Sequence, residues 1–314
     1  MGLFSLYSES QAIVKEVAIF ASLPPRVFLI CAFEYWRILS MRVLPALVFS
    51  LGALGLTGSN TAFAAGTATL VPHRAIYDLK LDSAQDSSGI TGLTGRMVYE
   101  FNGSDCEGYT TNFRFVTRVD MEEQPQRVTD QQTTTFESGD GGKFRFVNKT
   151  FVDQSLTKEV RGDAALSKDK TEISLTKPEA TKENLELSQF PTRHMQQLIE
   201  KALAGEVFYQ TKLFDGSEDA DKVMATTVII GKSAVSDTDD EIKNMGALAK
   251  ESTWPVSIAY FDESEKAEGL PSYRINFKMY RNGVTRDLKM DYGDFSMTGK
   301  LVNLQLFEMP KCKK

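Results

Sequence analysis

An alternation of apolar and polar side chains with period two runs from His73 to Cys312, and it constrains this chain more than any other feature. Successive side chains of a strand point to opposite faces, so the pattern specifies half-buried β-strands rather than helices. Ala75, Tyr77, Leu79 and Leu81 share one face, with Arg74, Asp78 and Lys80 on the other. Met97, Tyr99 and Phe101 precede a polar turn, NGSDCEG, and Phe113 and Phe115 follow it. Further strand-like runs span 143–152, 206–214, 222–230, 256–261 and 301–309.

The segment SYRINFKMYRNGVTRDLKMDY (272–292) is the most specific of these. Asn282-Gly283 is the preferred pair for a two-residue type I′ hairpin turn, because both positions need positive φ. That turn would place Phe277 opposite Leu288, Ile275 opposite Met290 and Tyr273 opposite Tyr292. On the other face Lys278 would meet Asp287 and Arg274 would meet Asp291. Apolar pairs on one side and opposite charges on the other suit a half-buried antiparallel pair.

A single helical pattern interrupts the strands. In PTRHMQQLIEKALAGE, the residues Met195, Leu198, Ile199, Ala202 and Leu203 follow the spacing of one helix face. Pro191 suits the first turn and Gly205 the stop, giving a helix over about 191–204 with one apolar face to lay on a sheet. The preceding stretch, 177–186, is charged and poor in large apolar residues, as expected of an exposed connector.

The N-terminal region reads as a leader. Arg42, helped by Arg37, supplies positive charge, Val43 to Leu56 is a run of about fourteen mostly apolar residues, and Ala62-Phe63-Ala64 is an A-x-A site. The run is shorter than the roughly 20 residues a membrane span needs. The expectation is a signal peptide at 41–64, cleaved between Ala64 and Ala65, and one domain over 65–314. Residues 1–40 are read as an extension from a misplaced start site, because Met41 opens an ordinary leader. No second apolar span follows, so no transmembrane segment is expected in the mature chain.

Removing residues 1–64 takes away four Lys/Arg and three Asp/Glu, leaving 32 against 39 and a charge of −7. So acidic a chain has no basic footprint for nucleic acid. It retains two cysteines, Cys106 and Cys312. In an oxidising compartment a pair favours one disulfide over two free buried thiols.

Chemistry-bearing motifs are scarce. Gly231-Lys232-Ser233 resembles the end of a phosphate-binding loop, but the required first glycine would fall at Thr226. Asp215 to Asp221 collects four carboxylates with glycine in the wrong place for a calcium loop, so it reads as a solvated hairpin tip. Asp237, Asp239, Asp240 and Glu241 read as another wet loop. The two histidines, His73 and His194, lie in no H-E-x-x-H or G-x-S-x-G setting. The expectation is no enzyme, no metal and no cofactor.

PHRAIYDLKL (72–81), LFDGSEDADKV (213–223), WPVSIAYF (254–261), YRINFKMYRNGVTRDLKMDYGDF (273–295) and the pair Cys106/Cys312 together resemble the envelope integrity protein B family of alphaproteobacteria. The resemblance covers the chain from about Thr67 to Lys314. It implies a mostly β periplasmic protein whose long antiparallel sheet curls into a spiral or open barrel, with one helix packed on it and a Cys106–Cys312 disulfide. It also implies a role in envelope integrity and a periplasmic tetratricopeptide-repeat partner, with no enzymatic activity. Two readings of the concave face follow: a binding or scaffolding module for a peptide or protein, or a carrier of lipid or lipoprotein. A deep, apolar, unfilled groove would mark the carrier. A hydrolase would need a histidine or carboxylate pair of shifted pKa in that groove.

Overall fold

The alternating segments become fourteen strands in a computed structural model that describes residues 68–235, 239–262 and 269–312. In chain order they are β1 (His73–Ala84), β2 (Ile90–Ser104), β3 (Gly108–Met121), β4 (Gln124–Glu137), β5 (Lys143–Val152), β6 (Ser155–Leu166), β7 (Lys170–Lys177) and β8 (Thr181–Glu186). The helix α1 (Pro191–Leu203) follows, then β9 (Phe208–Leu213), β10 (Met224–Ile230), β11 (Thr253–Phe261), β12 (Tyr273–Tyr280), β13 (Thr285–Asp291) and β14 (Phe295–Leu306). The leader and the cleavage site at Ala64-Ala65 lie outside the described residues.

All fourteen strands form one antiparallel sheet, in the order β8-β7-β6-β5-β4-β3-β2-β1-β14-β13-β12-β11-β10-β9. Two meanders are thus joined where the first and last strands pair, Ala75 opposite Leu304 and Leu79 opposite Gly299. The edge strands β8 and β9 are consecutive in sequence and separated only by α1. Just past β8, Gln189 forms a backbone bridge to Leu213 of β9, and the Lys212 side chain of β9 contacts Glu186 of β8. The sheet therefore winds around until its edges meet, and among the described residues Gln189–Leu213 is the only backbone bridge between them, so it does not close into a barrel. The segment 177–186, expected to be a connector, is largely the edge strand β8, paired on one side only and with mostly exposed side chains.

The winding produces two cores. The larger joins the inward residues of β1–β3 and β9–β14, among them Tyr77, Phe115, Ile258, Ile275 and Met290, to Leu198, Ile199 and Ala202 of α1. The smaller packs Phe144, Phe146, Ile173, Phe190 and Phe214 together. Each such side chain contributes about 1.5–3 kcal/mol through burial. Between the cores the inward face of β4 is polar, with Thr129, Gln131 and Thr133 all buried.

The β12–β13 hairpin forms where expected, but not as a type I′ turn. Tyr280 N donates to Val284 O at 2.9 Å and Gly283 N to Tyr280 O at 3.0 Å. The loop is therefore the three residues Arg281, Asn282 and Gly283. Only Gly283 has positive φ, at 86°. The expected pairs Arg274–Asp291 and Ile275–Met290 hold, whereas the backbone of Lys278 is in register with Arg286, its side chain still reaching Asp287 at 3.1 Å. Asp287, at φ 54°, is the extra residue of a bulge that absorbs the longer loop. Gly283 is also a close approach, since a Cβ there would lie 2.7 Å from Leu70 Cδ2.

Candidate functional site

The helix inside the sheet is the centre of the candidate site, and acidic groups from two turns hold it. Phe190 at its N-cap offers no side-chain acceptor. Glu137, at the end of β4, replaces it: its carboxylate accepts from Thr192 N at 2.7 Å and Arg193 N at 2.9 Å. Those N–H groups have no partner within the helix and carry the positive end of its dipole. Asp105, in the β2–β3 turn, accepts from Tyr109 Oη at 2.5 Å and Gln196 Nε2 at 3.2 Å. The two turns touch so closely that a Cβ on Gly139 would meet Asp105 O at 1.7 Å. Only glycine permits this approach.

Burial pushes the Glu137 carboxyl up to about 7, against the pull of the two amide hydrogen bonds. The folded pKa thus exceeds the unfolded value of 4.5. Stability from this group is complete below about 4.5 and is lost as pH rises through about 7. His194 acts in the other direction. Burial lowers its ring to about 4, so its share is present above about 6.5 and lost as pH falls. Glu137→Gln removes the first effect and leaves the second. Thermal melts from pH 5 to 8 should therefore fall more steeply for wild type than for the variant. Parallel pH profiles would count against Glu137 titrating in this window.

Neither histidine is set up for catalysis. His73 opens β1, buried, with Nδ1 2.7 Å from Val71 O. His194 is fully buried, and among the described residues neither ring nitrogen has a hydrogen-bond partner. Two voids border α1 at Met195, of about 20 and about 40 Å³, lined by Tyr99, Phe101, Phe113, Phe277 and Gly283 among others. Each takes a few waters at most.

The acidic loops are less wet than the sequence suggests. Asp215 is buried, and the carbonyl of Gly216 accepts from Asn148 Nδ2 at 2.5 Å, so this loop folds over the smaller core. Glu241 is buried and the Asp239 side chain is only 7% exposed; Asp237 lies outside the described residues. Carboxylate oxygens of Asp239, Glu241 and Asp287 lie within 4.8 Å of one another, as in a metal site. Three cations already answer them. Lys278 reaches Asp239 at 2.8 Å and Asp287 at 3.1 Å, Lys300 reaches Asp287 at 2.5 Å, and Arg286 contacts Asp239. A divalent ion would have to displace them, so the donor set does not favour one. Gly231 N is committed to Pro255 O at 2.7 Å, which leaves Gly231-Lys232-Ser233 without the amide cradle a phosphate needs.

Cys106 and Cys312 are joined, with Cα atoms 5.9 Å apart across 206 positions of sequence. The bond does not secure a sheet edge. Cys312 follows β14, a central strand held by β1 and β13. It ties the C-terminal tail to the β2–β3 turn, beside the Asp105 that holds α1.

The fold and site define a class: a curled, open antiparallel sheet filled by its own helix and clipped by one disulfide. The chain belongs to the EipB-like family, whose model matches residues 64–308. It is 66% identical over 255 residues to "Cell envelope integrity protein EipB" of Brucella abortus (strain 2308), covering 81% of this chain and 91% of that protein. It also resembles a crystal structure described as a beta-barrel-like protein of domain of unknown function DUF1849 from Brucella abortus. That similarity has a TM-score of 0.75 and 68% identity over 77% of this chain and 100% of the other. The relative is named for envelope integrity and not for an enzymatic activity. Among the described residues no helix is long and apolar enough to cross a membrane.

Proposed function

We propose that the chain is a periplasmic, non-catalytic binding or scaffolding protein that maintains the cell envelope. The envelope role follows the relative's name, and the binding role follows the architecture. The observation that carries it is the occupied interior: α1 and the aromatic core lie where a carried lipid would lie. Small-molecule pockets measure about 300–1,000 Å³, far above the voids at Met195. A carrier of lipid or lipoprotein would first have to expel α1 from Glu137, Asp105 and the larger core. Export through the leader at 41–64 belongs to the same proposal, and the family match begins at residue 64, where that leader ends. So does a periplasmic tetratricopeptide-repeat partner.

Crosslinking and pull-down from cell envelopes, with mass spectrometry of proteins and extracted lipids, tests this reading. The expected result is a mature chain beginning at Ala65 with a specific set of bound proteins. Stoichiometric lipid in place of protein would favour the carrier.

A further inference from the structure

The two ends of the sheet are finished differently. β8 carries Lys182, Glu183 and Glu186, and charge on an edge strand discourages further pairing. The first half of β9 has no such guard. Phe208 is 55% exposed, Val207 65%, and Ile229, opposite Phe208 on β10, 54%. Leu203, at the end of α1, adds another exposed apolar side chain.

The hydrogen-bond phase of β9 decides which backbone groups face outward. Val207 O accepts from Ile230 N at 2.9 Å, so the odd-numbered residues bond to β10. The even-numbered ones, Phe208, Gln210 and Lys212, turn N–H and C=O to the open side. The chain already uses that side once. Gln189 N donates to Lys212 O at 2.8 Å, and Gln189 O accepts from Phe214 N at 2.9 Å. Past Gln189 the backbone turns into α1 and the pairing stops. Among the described residues no backbone hydrogen bond reaches Phe208 or Gln210 from the open side.

We infer that this edge docks an extended, apolar segment of another polypeptide, which adds to β9 alongside Phe208 and Gln210. A peptide backbone is the occupant these groups select, because N–H and C=O at strand spacing match neither an acyl chain nor a sugar ring. The segment continues the line of pairing that Gln189 begins. It is uncharged along this contact, since the neighbouring charges are already taken, Lys201 by Glu206 at 2.9 Å and Lys212 by Glu186. This inference rests on the binding-protein reading and gives it a surface.

Gln210→Pro tests it, removing one outward N–H while leaving the odd-residue bonds to β10. Proline is tolerated on the open side of an edge strand. Phe208→Glu, on an exposed side chain, is the second variant. The probe is a library of short displayed peptides selected on the purified chain. Enriched peptides should alternate apolar residues, bind each variant about tenfold more weakly, and bind equally at low and high salt. Bound peptide should slow amide exchange at Phe208 and Gln210 and leave Tyr209 and Thr211 unchanged. Peptides that bind both variants like wild type, protection elsewhere, or no enrichment would overturn the proposal. So would self-association of wild type that Gln210→Pro abolishes, which assigns the edge to a second copy. If envelope proteins captured by wild type are retained by both variants, the edge fails while the binding role stands.

Discussion

Asp239→Ala should lower the melting temperature by roughly 10 °C, the largest single-site loss expected in the described structure. Arg286 is 0% exposed. Its guanidinium contacts Asp239, and its Nε donates to Tyr280 Oη at 3.0 Å. Removing the carboxylate strands a buried cation, which costs about 3–5 kcal/mol. Removing both charges does not: Asp239→Ala with Arg286→Met should recover much of the loss, because the apolar replacement needs no partner. Burial raises the Asp239 carboxyl, but hydrogen bonds from Lys278 and the Glu241 amide, with the Arg286 and Lys278 charges, outweigh it and hold it at about 2. Its share of stability is therefore present above about 3.8 and lost as pH falls through about 2. A double variant less stable than the single one would show that Arg286 contributes through packing and not through its charge.

That ion pair was hidden from the sequence for a definite reason. With a two-residue turn at Asn282-Gly283, Arg286 would share the inward face of Leu288 and Met290. The third loop residue and the bulge at Asp287 put it opposite Lys278 instead, on the outer face. There Asp239, from far along the chain, contacts it. Period-two patterning reports which face a residue takes only while the register is unbroken. The strands β1–β3, β5 and β9–β13, with apolar inward faces, were legible for that reason. β4 was not, because its inward positions are Thr129, Gln131 and Thr133, and the signal read from alternation is apolarity. Glu137 escaped likewise. An acid at the end of a polar strand has no local mark of the helix N-terminus it caps, which lies 55 positions away. The helix itself was placed to within a residue. Its environment was not, since enclosure by the sheet also buries His194 and Gln196, on either flank of the apolar stripe.

Breaking the Cys106–Cys312 bond should lower stability by about 2–4 kcal/mol, or roughly 5–15 °C in melting temperature. The argument is one of chain entropy. The bond closes a loop of about 207 residues in the unfolded ensemble, for which the loop-closure model gives an upper figure near 5 kcal/mol. Little native packing depends on the bond, because the tail after β14 is largely exposed and its backbone is tied by Phe307 N to Pro72 O at 2.8 Å. The secondary structure should survive. Aggregation through a bared edge strand, the consequence expected had β14 lain at the margin of the sheet, should not follow, since β1 and β13 remain paired to it. Cys312→Ser alone and Cys106→Ser with Cys312→Ser should melt alike, because either change opens the same loop. Thiol labelling of the protein taken from cells under denaturing, non-reducing conditions should find no free cysteine. If both thiols label, or if the serine variants melt like wild type, the clip contributes nothing. If the variants instead aggregate with β-sheet content rising, the bond protects more of the sheet than the tail it ties.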